Sequence, residues 1–126
     1  MGLFSAMLGN AGAADPEELV KKYSQLLIEG ENIELGFKLI RDVFLFTNKR
    51  LLLVEVQGLT GSKVEYKSIL YKSISRFSVE TPGTFDLDAE LKIWVSSESQ
   101  PSIVKQFNKS VNVYEVQKIL AKFVLG

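Results

Sequence analysis

The chain has 126 residues with neither cysteine nor histidine, which excludes disulfides, thiolate chemistry and any catalysis or metal binding built on imidazole. Fifteen basic residues balance fifteen acidic ones. That removes the overall electrostatic pull used by nucleic-acid and anionic-membrane proteins and leaves no like-charge repulsion against self-association. At 46% apolar and 24% charged residues the composition fits one packed domain of ordinary kind, and no apolar run reaches the roughly 20 residues of a membrane-spanning helix.

Residues 1–14 (MGLFSAMLGNAGAA) are apolar and small, with no lysine or arginine. They lack the positive start of a secretory signal, so the segment reads as retained and the protein as cytoplasmic. Gly2 is followed by Ala6 where a myristoylation pattern has Ser or Thr. The remainder, 15–126, reads as one domain. Residues 15–28 predict a helix: Asp15 caps it, Pro16 fits its first position, Glu18 closes a capping box, and Leu19, Val20, Tyr23, Leu26 and Leu27 form its apolar stripe. Gly30 is placed to end it.

From residue 32 the period becomes two, and 32–108 reads as strands. The runs 32–40, 43–47, 50–56, 63–71, 73–80, 89–96 and 102–108 are separated by turn residues. Asn48 in the second break is suited to a left-handed conformation. Thr81-Pro82-Gly83-Thr84 is the plainest break. Residues 112–124 predict a second helix, capped by Asn112 with Glu115 three residues on, and striped by Val116, Ile119, Leu120, Phe123 and Val124. Such a helix after seven strands can close the open end of a bent sheet. The fold class is mainly β with a capping helix: a split, bent antiparallel barrel of seven strands, a C-terminal helix and an additional N-terminal helix.

Two segments carry a family resemblance: Phe46-Thr47-Asn48-Lys49-Arg50-Leu51, and the stretch from Val64 through Thr81 continuing at Gly83 to Trp94. With them the chain, over about residues 15–124, resembles the single-domain bacterial pleckstrin-homology-like family. The resemblance implies the split barrel with its plugging helix and ring-shaped homo-oligomers. It implies no cofactor and supplies no substrate.

Eukaryotic members of the fold that hold phosphoinositides place basic residues around the first strand loop. Here Lys38 and Arg41 fall near it, but the second strand reads Val43-Phe44-Leu45-Phe46 and the loop is short, so phosphoinositide binding is not expected. With Lys49 and Arg50 these two residues form the candidate weak anion patch. Lys63, Lys67, Lys72 and Arg76 alternate with Glu55, Glu65 and Glu80, the pattern of cross-strand ion pairs on a solvated face. Asp86, Asp88 and Glu90 alternate like oxygen ligands but lack the glycine turn and spacing of a calcium loop, and are expected simply to lead into a strand.

Several strands are apolar on both faces, and each surplus face needs cover. Leu52, Val54, Ile69, Tyr71 and Trp94 are the candidate interface residues. Their cover is either a neighbouring subunit, the favoured reading, or the N-terminal helix. The functional expectation is a non-catalytic scaffold or interaction module that assembles as a ring and binds protein or peptide partners, without nucleic acid. The alternative is a membrane-surface adaptor whose Leu3, Phe4, Met7 and Leu8 dip into lipid.

Overall fold

A computed structural model describes residues 16–39, 42–81, 89–107 and 112–126. In chain order it shows α1 (Pro16–Tyr23), a 3-10 turn (Ser24–Leu26), β1 (Ile33–Lys38), β2 (Val43–Thr47), β3 (Leu51–Gln57) and β4 (Lys63–Ile69). A second 3-10 turn (Tyr71–Ser73), β5 (Ile74–Glu80), β6 (Ala89–Val95), β7 (Ile103–Phe107) and α2 (Val113–Val124) follow. All pairings are antiparallel between chain neighbours. They give a four-stranded sheet in the order β1-β2-β3-β4 and a three-stranded sheet in the order β5-β6-β7. The barrel is therefore split into two sheets rather than closed.

The inner faces meet over one core. Phe37, Phe44, Phe46 and Phe107 are fully buried, with ring centroids of neighbouring pairs 5.4–6.1 Å apart in tilted or edge-on contacts, the geometry aromatic quadrupoles favour. α2 closes this core with Val116 and Leu120, both fully buried. Its start is fixed as expected, because the Asn112 side chain accepts the Tyr114 backbone N–H at 3.0 Å. Near its end Phe123 stacks on Tyr71 at 4.8 Å, and Lys122 pairs with Glu34 of β1 at 3.1 Å.

A second, smaller core lies on the outer face of the four-stranded sheet, where Leu19 and Tyr23 of α1 cover Val43, Leu45, Leu52 and Val54. Leu19 seats directly on Gly36. A Cβ at that position would stand 2.2 Å from Leu19 Cδ1, so glycine in β1 is what admits the helix.

The N-terminal helix ends earlier than the expected 15–28, and Asp15, its expected cap, lies outside the described residues. It tightens to a 3-10 turn after Tyr23, and its orphan C-terminal carbonyl at Leu26 accepts from the Arg50 guanidinium, which ties the chain to the sheet before another turn can form. Gly30 takes a positive φ of 82° in the turn that follows. The fourth strand stops at Ile69 rather than 71, because Ser73 N–H bonds to Leu70 O at 2.9 Å and the resulting turn swings Tyr71 into the core. Asn48 is not left-handed. Among the described residues only Ser96 (φ 57°) is a non-glycine with positive φ, and Asn48 works through its side chain instead.

Candidate interaction surface

The Thr47-Asn48-Lys49-Arg50 turn is where the expected anion patch has to be tested. Thr47 Oγ1 accepts the backbone N–H groups of Lys49 (3.1 Å) and Arg50 (2.9 Å) and donates to Glu31 Oε2 at 2.7 Å. Asn48 Nδ2 donates to Gly30 O at 3.0 Å, and Asn48 Oδ1 accepts from Asn32 N–H at 2.7 Å. Arg50 grips Glu31 with two nitrogens, at 2.9 and 3.0 Å, and also donates to Ser68 Oγ at 2.9 Å. The Glu31 side chain is fully sealed from solvent. Burial pushes its carboxyl up, but hydrogen bonds from Arg50, Thr47 and the Ile28 N–H, with Arg50's charge, outweigh this and hold it below its ordinary value.

Arg50 is therefore spent on a buried carboxylate and cannot serve an anion patch. Lys38 and Lys49 are exposed, Lys38 lies opposite Val43 at the end of the β1–β2 ladder remote from the Thr47 turn, and Arg41 lies outside the described residues. The turn is a structural hub that clamps the tether of α1 to the β2–β3 hairpin.

Four of the five expected interface residues are also corrected. Leu52 and Val54 lie under α1, and Ile69 and Tyr71 are in the central core, each under a tenth exposed. The surplus apolar face of β3 is thus covered within the chain. Tyr71 also donates its hydroxyl to Thr47 O at 2.7 Å, and burial, then the charges of Glu34 and Glu31, push its ionisation far up.

The cover ends at β4. Cross-strand partners share a face, and Val54 faces Tyr66 while Val56 faces Val64. Tyr66 is 50% exposed and Val64 41%, so the apolar strip that α1 hides on β3 emerges on β4. Tyr23 at the end of α1 is close enough to Tyr66 that, after burial, that neighbour also raises its hydroxyl's ionisation. At the hairpin tip Leu59 is wholly exposed between Gly58 (φ 83°) and Gly61 (φ 71°), left-handed positions that suit glycine.

The opposite side of the molecule carries a second surface. Trp94 lies on the outer face of the three-stranded sheet, paired across the ladder with Arg76, whose guanidinium stacks 4.3 Å from the indole centroid. Its neighbours on that face include Lys92, which pairs with Glu90 at 3.5 Å, and the half-exposed Val104. The indole N–H is sealed from solvent with no acceptor among the described residues. Asp86 and Asp88 lie outside the described residues, and no cluster of potential metal-ligating side chains occurs among the described ones.

At the seam between the two sheets Lys105 of β7 reaches Asp42 (2.8 Å) and Glu55 (3.4 Å). Burial alone would lower the Lys105 ammonium, but the bond to Asp42 and the charges of Asp42 and Glu55 raise it. Lys67 joins Glu55 at 3.4 Å, one of the cross-strand ion pairs the alternation implied. Glu55 directly faces Glu65, which the alternation did not reveal. What sequence reasoning missed was the exposed set Val64, Tyr66 and Val104, and that Arg76, expected on a solvated face, stacks on Trp94. For Val64 and Tyr66 the signal, the alternation of charged and apolar residues along 63–68, was visible, but which strand would be an edge was not.

No helix among the described residues is long and apolar enough to cross a membrane. Comparison with known proteins matches residues 2–124 to the family model described as "Bacterial PH domain". The uncharacterized protein YjqA of Bacillus subtilis (strain 168) is 52% identical over 121 residues, 96% of this chain and 97% of that protein. A solved DUF1696 family protein with a pleckstrin-homology domain, from Shewanella loihica PV-4, superposes with a TM-score of 0.83 at 45% identity, covering 93% of this chain and 99% of the other. A pleckstrin homology domain from Shewanella amazonensis SB2B gives 0.77 at 47% identity, covering 94% of each.

Proposed function

Since the chain belongs to the bacterial pleckstrin-homology domain family, we propose that it is a non-catalytic interaction module that self-assembles, as a ring, and binds protein or peptide partners. The observation that carries this reading is the Arg76–Trp94 pair on the outer face of the three-stranded sheet. Tryptophan and arginine are the residue types that dominate binding energy at protein interfaces, and here they stack on a flat strand surface beside the half-exposed Val104. The indole N–H has no acceptor among the described residues, and a buried donor left unpaired costs about 1–3 kcal/mol. A carbonyl or carboxylate brought by a neighbour as Arg76 shifts would recover it.

Zero net charge supports the same reading, since sister chains meet without overall repulsion. With Leu52, Val54, Ile69 and Tyr71 assigned to the interior, Trp94 is the remaining member of the expected set with surface to offer. Sedimentation velocity at micromolar concentration tests the proposal. Wild type should sediment as a closed oligomer and Trp94→Ala as smaller species with unchanged circular dichroism. A strictly monomeric wild type removes the assembly claim, and a variant of unchanged mass removes Trp94 from it.

A further inference from the structure

Among the described residues the two sheets leave four edges, and three are guarded. β1 carries a register irregularity between Ile33 and Leu35, and its Glu34 is held by Lys122 of α2. β5 carries one between Ile74 and Arg76 and has α2 packed against it. β7 spans five residues, and Lys105 ties it to Asp42, just before β2, and to Glu55 of β3. Such bulges, short strands and covering elements are the usual means of blunting an edge.

Among the described residues β4 has none of them. It pairs with β3 through seven consecutive residues without a shift, contains no proline and is exposed along both faces from Lys63 to Tyr66. Lysine often guards an edge, but Lys67 is drawn back to Glu55 and Glu65 accepts from Gln57 Nε2 at 3.2 Å, so both lie along β3. Lys63 alone on this strand has no carboxylate partner among the described residues.

We infer that β4 is a docking edge for an extended segment of a partner protein, which adds a fifth strand beyond β4. Every second residue of an edge strand turns its N–H and C=O away from its neighbour, so the backbone of β4 supplies the affinity. Its side chains supply the selection. Val64 and Tyr66 share one face and call for apolar or β-branched residues opposite them. Lys63 stands on the other face, where an aspartate or glutamate completes the pair. The occupant is an alternating strand with apolar residues two apart and a carboxylate beside them. This deepens the reading of the domain as an interaction module and names the partner class.

Selection of a random peptide display library on the full chain tests it. Selected peptides should alternate as described, and backbone N-methylation at alternate residues should abolish binding. Bound peptide should slow hydrogen exchange at alternate amides of 63–69. Lys63→Glu, an exposed substitution, should weaken acidic peptides roughly five- to tenfold, the worth of replacing an exposed ion pair by a repulsion, and a peptide with lysine in place of the acid should regain it. Three results overturn the inference: no binders, binders that protect another surface, or slow exchange of those amides in peptide-free protein that is lost on dilution, which would make a second copy the occupant. The sedimentation test of Trp94 is read separately, so failure of self-assembly and failure of this edge are distinguishable.

Discussion

Replacing Arg50 by methionine should destabilise the domain by about 3 kcal/mol. Removing one partner of a buried ion pair costs roughly 3–5 kcal/mol, because the surviving charge stays out of water. The Glu31 side chain has no solvent exposure and Arg50 is 22% exposed, which places the loss at the lower end of that range. That is a large part of the roughly 5–15 kcal/mol that holds a domain together. Adding Glu31→Gln to Arg50→Met removes the stranded charge, so the double variant should be more stable than Arg50→Met alone. Urea unfolding followed by circular dichroism at pH 7 measures both. The penalty should also shrink in acid. The Glu31 carboxyl is held below its ordinary value of 4.5, so its contribution is full above that pH and disappears as pH falls through the folded value. A loss under about 0.5 kcal/mol for Arg50→Met, or a double variant no better than the single, would refute the view of this turn as a buried clamp.

Gly36→Ala should dislodge Leu19 and loosen α1 at a cost of about 1–3 kcal/mol, read as faster hydrogen exchange in 16–26; Leu19→Ala in the same chain should give part of it back. Phe123→Ala removes the ring stacked on Tyr71 and should cost about 2 kcal/mol in chemical unfolding, less than a fully buried phenylalanine because Phe123 is half-buried. Stability should fall on the alkaline side as pH rises above 10.0, the ordinary value for tyrosine, because burial keeps Tyr71 protonated in the fold while the unfolded chain ionises; Tyr71→Phe should flatten that limb in a pH series of thermal melts.

The short apolar runs 43–47 and 50–56, set off by turn residues, made two strands legible, and Asn112 with the Val116–Leu120 stripe made the closing helix legible, because these signals are local. The role of Glu31 was not legible. It sits 19 residues from Arg50, in a stretch with no periodic pattern, and only folding brings the two together. Asn48 shows the same limit from another side. Its residue type suggested a backbone conformation, whereas its side chain bridges Gly30 and Asn32, partners distant in sequence on the segment that leads into the adjacent strand β1.

By itself the sequence determined that several strands are apolar on both faces, that a C-terminal helix must plug the open end, and that histidine and cysteine chemistry is absent. Tertiary structure decided which surplus face α1 would cover and which strand would be left as an unguarded edge. Alternation along a strand is fixed residue by residue, but cover depends on where Gly36 lets Leu19 sit and where α1 runs out before Tyr66. Those are contacts between distant parts of the chain, and no local period encodes them.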